Sequence, residues 1–182
     1  MKMESERIRI RSMEKKDAEG LFKLLSHPRV NCYVSEKIDS LAEAYKHIDR
    51  SNPEFDLTVC LKETDVFIGM LFGMQDGDDM YSPCWNFLPE YCGQGYATEA
   101  VKAYFDYLFL EKNMRRLYAY TEEYNTASQN VCRKLGMRHE GTFKEFISFV
   151  NNPDGTPKYE TTLQFAILKR EWRSMEQHSI CK

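Results

Sequence analysis

What the sequence lacks narrows its nature first. No apolar run approaches the ~20 residues of a membrane-spanning helix, so no span is expected. Cysteine never occurs as Cys-x-x-Cys. The six lie at 32, 60, 84, 92, 132 and 181, and the four histidines at 27, 47, 139 and 178 stand at no ligand spacing to them. No zinc site is expected, nor any other metal. Basic residues do not dominate either. The 25 Lys and Arg are outnumbered by 28 Asp and Glu, and a net charge of −3 argues against non-specific nucleic-acid binding. No secretory signal precedes the first strand pattern, and the cysteines read as reduced thiols, so a cytoplasmic location is the expectation. Repeats, low-complexity tracts and linkers are absent, and residues 1–182 read as a single domain.

Periodicity then orders the elements. Residues 7–11 read as a strand with Ile8 and Ile10 inward. Ser12 to about Leu25 reads as a helix around Ala18, Leu21, Phe22 and Leu25, stopped by His27-Pro28. A second helix is expected over 41–50, and strands over 57–61 and 66–74 joined by a hairpin at 62–65. An acidic turn with Asp76, Asp78 and Asp79 leads to a strand over 82–88. Ala97, Ala100, Val101, Tyr104, Phe105 and Leu108 mark an amphipathic helix of about four turns. A strand over 115–121 and a helix over 126–135 follow, the helix closed by Gly136. Long strand patterns at 140–150 and 159–168 flank the turn Asn151–Gly155. The tail around Arg170–Arg173 reads as a last helical turn or a frayed end. The fold class expected is α/β, with α+β character: a mixed sheet with helices on both faces.

The most informative stretch is Leu88–Ala100, which sets Gly93 and Gly95 at the entrance to a helix. Glycine lets successive N–H groups turn toward one point without an intervening Cβ. The helix start adds unpaired N–H groups and the positive end of the dipole. Together they form a cradle for an anion, most naturally a phosphate.

With a second motif, Asn125-Thr-Ala-Ser128 followed by Lys134-Leu-Gly-Met137, the chain resembles the GNAT acetyltransferase superfamily. It is most similar to the ribosomal-protein alanine acetyltransferase (RimJ/RimL-like) branch. The likeness includes Ser5–Arg11, Asp17-Ala18, His27-Pro28, Pro89–Ala100, Glu140-Gly141 and Ile167–Trp172. It implies the splayed central sheet of the acyl-CoA N-acyltransferase fold, with acetyl-CoA as co-substrate. On this resemblance the pyrophosphate lies on the N–H groups of Gly93, Gln94, Gly95, Tyr96, Ala97 and Thr98, with Glu90 outside the cradle. Phe87 and Leu88 border the pantetheine arm, and a free N–H near either faces the thioester carbonyl. Asn125, also a natural helix N-cap, and Ser128 contact the arm.

The resemblance also marks a departure. Many members carry a Tyr seven residues after that Asn as general acid; here the position is Cys132. The acid is then Ser128 or water. Glu145 is the candidate base, on a strand where Phe143 and Ile147 share its alternation; a solvated Glu145 is the alternative. Glu99, in the first turn of the cradle helix, suits a structural role there. Direct transfer in a ternary complex needs only positioning, a base and an oxyanion donor. The acceptor expected is a protein or peptide N-terminal amine, with Trp85 and Asn86 among its contacts. A small amine (polyamine, amino acid or aminoglycoside-like) and a non-catalytic acyl-CoA sensor are the alternatives. No direct nucleic-acid or membrane partner is expected, and either a monomer or a homodimer is compatible.

Overall fold

The computed structural model describes residues 2–172. Its elements follow as β1 (Lys2–Glu4), β2 (Ile8–Ser12), α1 (Ala18–Leu25), α2 (Leu41–Arg50), β3 (Leu57–Leu61), β4 (Phe67–Asp76), β5 (Met80–Phe87), α3 (Tyr96–Asp106), β6 (Arg116–Glu122), α4 (Thr126–Lys134), β7 (Arg138–Asn151) and β8 (Pro157–Leu168). The helix expected over 41–50 forms with those bounds. Ser40 caps it, its hydroxyl accepting the Glu43 N–H at 3.3 Å, while Ala44 and Ile48 bury one face. β5 alternates as its pattern predicts, with Tyr81, Trp85 and Phe87 inward.

Two expectations are corrected. The first helix begins at Ala18, not Ser12, because the intervening residues fix a buried carboxylate. Asp17 accepts the Glu14 N–H at 2.8 Å, an Arg11 N–H at 2.7 Å and the Thr58 hydroxyl at 3.0 Å. A short 3-10 turn, Lys15–Asp17, carries it there. β1 was not anticipated: three residues are too few for a readable period, and the strand forms by pairing Lys2–Glu4 antiparallel with Arg9–Arg11.

The chain divides into two compact units. One runs to Phe72 and adds Cys84–Ala103 and Ser148–Lys158; the other takes Gly73–Pro83, Tyr104–Ile147 and the chain from Tyr159 on. Each is assembled from three separated stretches, where a single domain over 1–182 is the sequence expectation. In the first unit β1-β2-β3-β4-β5 lie side by side, and β1 to β4 pair antiparallel. Its core gathers Leu21, Leu24 and Leu25 of α1 with Ala44 and Ile48 of α2 and with Phe67, Met70 and Leu88. In the second unit the order is β4-β5-β6-β8-β7. β5 meets β6 in parallel at Met80–Arg116 and Tyr81–Leu117, and β6 pairs antiparallel with β8. The sheet is thus mixed and open, ending at β1 and β7. Trp172 helps close the second core, packing on Phe105 and Phe109 at 5.6 and 6.0 Å. The helical turn expected at the tail is present over 169–172; the rest of the tail lies outside the described residues. Among the described residues no helix is long and apolar enough to cross a membrane, and no group of ligand side chains could hold a metal ion.

Candidate active site

In the first unit a short 3-10 turn, Pro89–Tyr91, leads from β5 into a loop with Gly93 at φ +76° and Gly95 at φ +87°. Left-handed backbone at both positions explains why glycine occupies them. α3 then starts, its first bond running from the Glu99 N–H to the Gly95 carbonyl at 3.0 Å. None of the six N–H groups from Gly93 to Thr98 donates to another group among the described residues. A Cβ at Gly93 would meet nothing within 4 Å, so the space beside that residue is open. Six unpaired donors at the positive end of a helix of this length fit a pyrophosphate.

The loop is held from behind. The Glu99 carboxylate accepts the Ser5 hydroxyl at 2.6 Å, the Arg7 N–H at 2.9 Å and the Arg7 Nε–H at 2.7 Å. Arg7 also donates to the Gln94 carbonyl at 3.1 Å and lies 4.4 Å over the Tyr96 ring. Burial raises the Glu99 pKa, but the hydrogen bonds from Ser5 and Arg7 outweigh it and hold the carboxyl below its ordinary value. The structural role expected of Glu99 is the one it has. Arg7 was missed as a partner because 92 residues separate the two. Its only sequence signal is a basic residue on the alternate face of an edge-proximal strand.

Glu90 turns away from the cradle to pair with Lys23, which lowers its pKa. Its carbonyl accepts the Gln94 side-chain amide at 2.7 Å, a further tie across the loop. Phe87 and Leu88 are both buried at the loop entrance. The Leu88 N–H donates to the Ile68 carbonyl at 2.9 Å. That bond removes Leu88 from the two positions considered for a free oxyanion donor. Trp85 is buried, and its carbonyl accepts the Tyr33 hydroxyl at 2.9 Å. Tyr33 belongs to a concavity of about 210 Å³ that the sequence reading missed, lined by Leu25, Tyr33, Glu36, His47, Asp56, Met70 and Phe72.

In the second unit Asn125 is the N-cap expected of it. Its Oδ1 accepts the Ser128 N–H at 3.2 Å and its amide donates to Glu122 at 3.3 Å. Ser128 is half-buried one turn into α4. Cys132 is fully buried, which pushes its thiol up to about 12, the behaviour of a core thiol. Glu145 is exposed, and its backbone is left-handed at φ +48°, unusual for a non-glycine residue. Phe143, on the same strand, is exposed too and forms a cluster with Phe146 and Tyr120 at 5.1 and 6.2 Å. The acidic turn is largely paired: Asp79 binds Arg115 at 2.7 Å and Asp76 accepts the Tyr118 hydroxyl at 3.1 Å.

A family model for the acetyltransferase (GNAT) domain matches residues 7–138. The uncharacterized N-acetyltransferase YnaD of Bacillus subtilis (strain 168) is 32% identical over 175 residues, covering 94% of this chain and 99% of its own. A crystal structure of a GNAT-family acetyltransferase from Bacillus anthracis superposes with a TM-score of 0.82 at 30% identity, covering 94% of this chain and all of that one. Two Vibrio cholerae structures at 20% identity share the fold. One is a putative ribosomal-protein-serine acetyltransferase (TM-score 0.71, covering 92% of this chain and 97% of that one). The other is a spermidine N-acetyltransferase variant (TM-score 0.72, covering 91% and 95%). With the family model matched over residues 7–138 and these relatives alike over nearly the whole chain, the chain belongs to the GNAT acetyltransferase family and is an acetyl-CoA-dependent N-acetyltransferase.

Proposed function

We propose that Gly93, Gln94, Gly95, Tyr96, Ala97 and Thr98 bind the pyrophosphate of acetyl-CoA, and that acetyl passes directly to a primary amine with no covalent enzyme intermediate. The run of six unpaired N–H groups ahead of α3 carries this reading. Acetyl-CoA supplies an activated thioester; the chain supplies position and proton traffic. Phe87 and Leu88 border the pantetheine arm, and the Phe87 N–H is the oxyanion donor, Leu88 being engaged. One such donor typically contributes ~100–1000-fold in rate.

Asn125 and Ser128 complete the reading of the arm by family likeness. Asn125 keeps a second lone pair on Oδ1 beyond its cap bond, so capping and arm contact are compatible. Ser128 is the proton donor to the leaving thiolate, in competition with water. Glu145 is the base; its left-handed backbone is the kind of local strain that gathers at functional positions. The demand on it depends on the acceptor. An α-amino group titrates near ~7.7–8.0 and is partly neutral at physiological pH, whereas an alkyl ammonium near ~10.4 needs more help.

The acceptor is a primary amine. A peptide N-terminus is the class the branch likeness implies, and the Vibrio cholerae ribosomal-protein-serine neighbour is named for that class. A small amine is the second reading, favoured by the carboxylates Glu36 and Asp56 in the concavity beside Tyr33. Thiol release from acetyl-CoA over a panel of Ala- and Ser-initiated peptides, monoamines and diamines tests the reading. Acetyl-CoA that neither binds nor yields thiol with any acceptor would overturn it.

A further inference from the structure

We propose that the concavity formed by α1, α2, β4 and their connections binds a non-reacting ammonium of the acceptor, so that the substrate is a diamine or oligoamine with a short aliphatic spacer. This rests on the acetyl-transfer reading above and names the substrate class for it.

The cavity has the size and lining for such a group. Its volume of about 210 Å³ is space for a short alkyl chain ending in an ammonium. Leu25 and Met70 provide apolar wall, and Tyr33 and Phe72 meet edge to face at 5.9 Å. Aromatic rings of this kind favour methylenes and a cation alike.

Its charge is of one sign. Glu36 and Asp56 line it, together with His47, and no Lys or Arg does. Lys37, adjacent in sequence, pairs with Asp39 instead. Neither the Glu36 nor the His47 side chain has a hydrogen-bond or ion-pair partner among the described residues. Asp56 uses Oδ2 to accept the Asn52 N–H at 2.6 Å and keeps Oδ1. Two carboxylates with acceptor capacity left over, set around an apolar chamber, select for a cation and against a neutral or anionic group.

The same charges decide which amine sits there. A carboxylate within reach favours the protonated form of an amine and raises its pKa. An ammonium has no lone pair and cannot attack a thioester. An amine held by Glu36 and Asp56 is therefore not the one acetylated, and the acceptor must carry a second. The fold gives that second amine a direction. The Tyr33 hydroxyl is tied to the Trp85 carbonyl at 2.9 Å, and Trp85 stands two residues before Phe87 on β5. Two strand residues span about 7 Å, the reach of a short aliphatic spacer. A peptide beginning with Ala or Ser offers its α-amine to the chemistry and nothing to this cavity.

The test compares 1,4-diaminobutane with butylamine as acceptors of the full chain, by thiol release. The expected result is a kcat/KM at least tenfold higher for the diamine. In Glu36→Gln, and separately in Asp56→Asn, the diamine-to-monoamine ratio falls about tenfold; Glu36 is exposed, so the low end of a charge-assisted bond applies. A ratio near one in the unmodified protein, or a ratio unmoved in both variants, overturns the proposal. Asp56 also anchors a turn through Asn52; if its variant unfolds, Glu36→Gln alone decides. Absence of thiol release with every acceptor counts against the acetyl-transfer reading and not against the cavity. The cavity is then read by calorimetric titration of 1,4-diaminobutane. Binding that Glu36→Gln weakens about tenfold upholds it, and absent binding overturns it.

Discussion

Replacing Arg7 and Glu99, singly and together, measures how firmly the connection between β1 and β2 holds the glycine loop before α3. Glu99 accepts from the Ser5 hydroxyl, the Arg7 backbone N–H and the Arg7 guanidinium, at 2.6, 2.9 and 2.7 Å. Hydrogen bonds to a charged group contribute ~1.5–3 kcal/mol when protected, and exposed ion pairs only ~0–1 kcal/mol. The Arg7 side chain is 42% exposed and the Glu99 side chain 17%. The guanidinium–carboxylate coupling therefore belongs between those ranges, at about 1 kcal/mol. Glu99→Ala strips all three donors of their acceptor, for an expected loss of about 2–3 kcal/mol. Arg7→Ala leaves the backbone bond in place, so a double-mutant cycle in denaturant isolates the guanidinium. Because Arg7 also binds the Gln94 carbonyl and covers Tyr96, both single variants are expected to raise the KM for acetyl-CoA several-fold with less change in kcat. A coupling below ~0.3 kcal/mol together with an unchanged KM would refute the reasoning. The pH dependence supplies a second check. The folded pKa of Glu99 is depressed, so its contribution is present above the ordinary carboxylate range and is lost as pH falls through the lowered value. Glu99→Gln should flatten that part of the acid limb.

Three further outcomes follow from single contacts. Gly93→Ala imposes a left-handed backbone of φ +76° on a residue with a Cβ that has open space around it. The backbone strain is ~1–2 kcal/mol, so a small fall in melting temperature should accompany about a tenfold rise in the KM for acetyl-CoA; an unchanged KM would count against the cradle. Asp17→Ala leaves the Arg11 guanidinium, 8% exposed, without its bidentate partner, and a loss of about 3–5 kcal/mol is expected in denaturant melts. Native thiol labelling followed by peptide mapping should find Cys92 modified and Cys132 silent until unfolding, since Cys132 is fully buried with its thiol pushed up to about 12.

The parts legible in the sequence are those whose cause is local. Ser40 and the spacing of Ala44 and Ile48 suffice to define α2, and the Gly93-x-Gly95 step before an amphipathic helix suffices to place two left-handed glycines at a helix start. The start of α1 was misplaced because Asp17 answers to Arg11 and Thr58, one of them 41 residues away, instead of to its own helix. Arg7 and Glu99 were each visible as charged residues, but their pairing exists only once the β1–β2 connection meets α3. Leu88 shows the same limit from the other side: its N–H is available on any sequence reading, and the ladder to Ile68 takes it. The acid-lined cavity is the extreme case. Its lining comes from α1, the connection to α2, α2 itself, the approach to β3, and β4, and no two of those segments carry a recognisable motif together. In this chain the residues proposed to hold the pyrophosphate sit in one continuous loop, while those proposed to choose the acceptor are scattered. Sequence therefore speaks clearly about the first and hardly at all about the second. The proposed choice of acceptor rests on charge placement around Tyr33, which only the folded unit brings together.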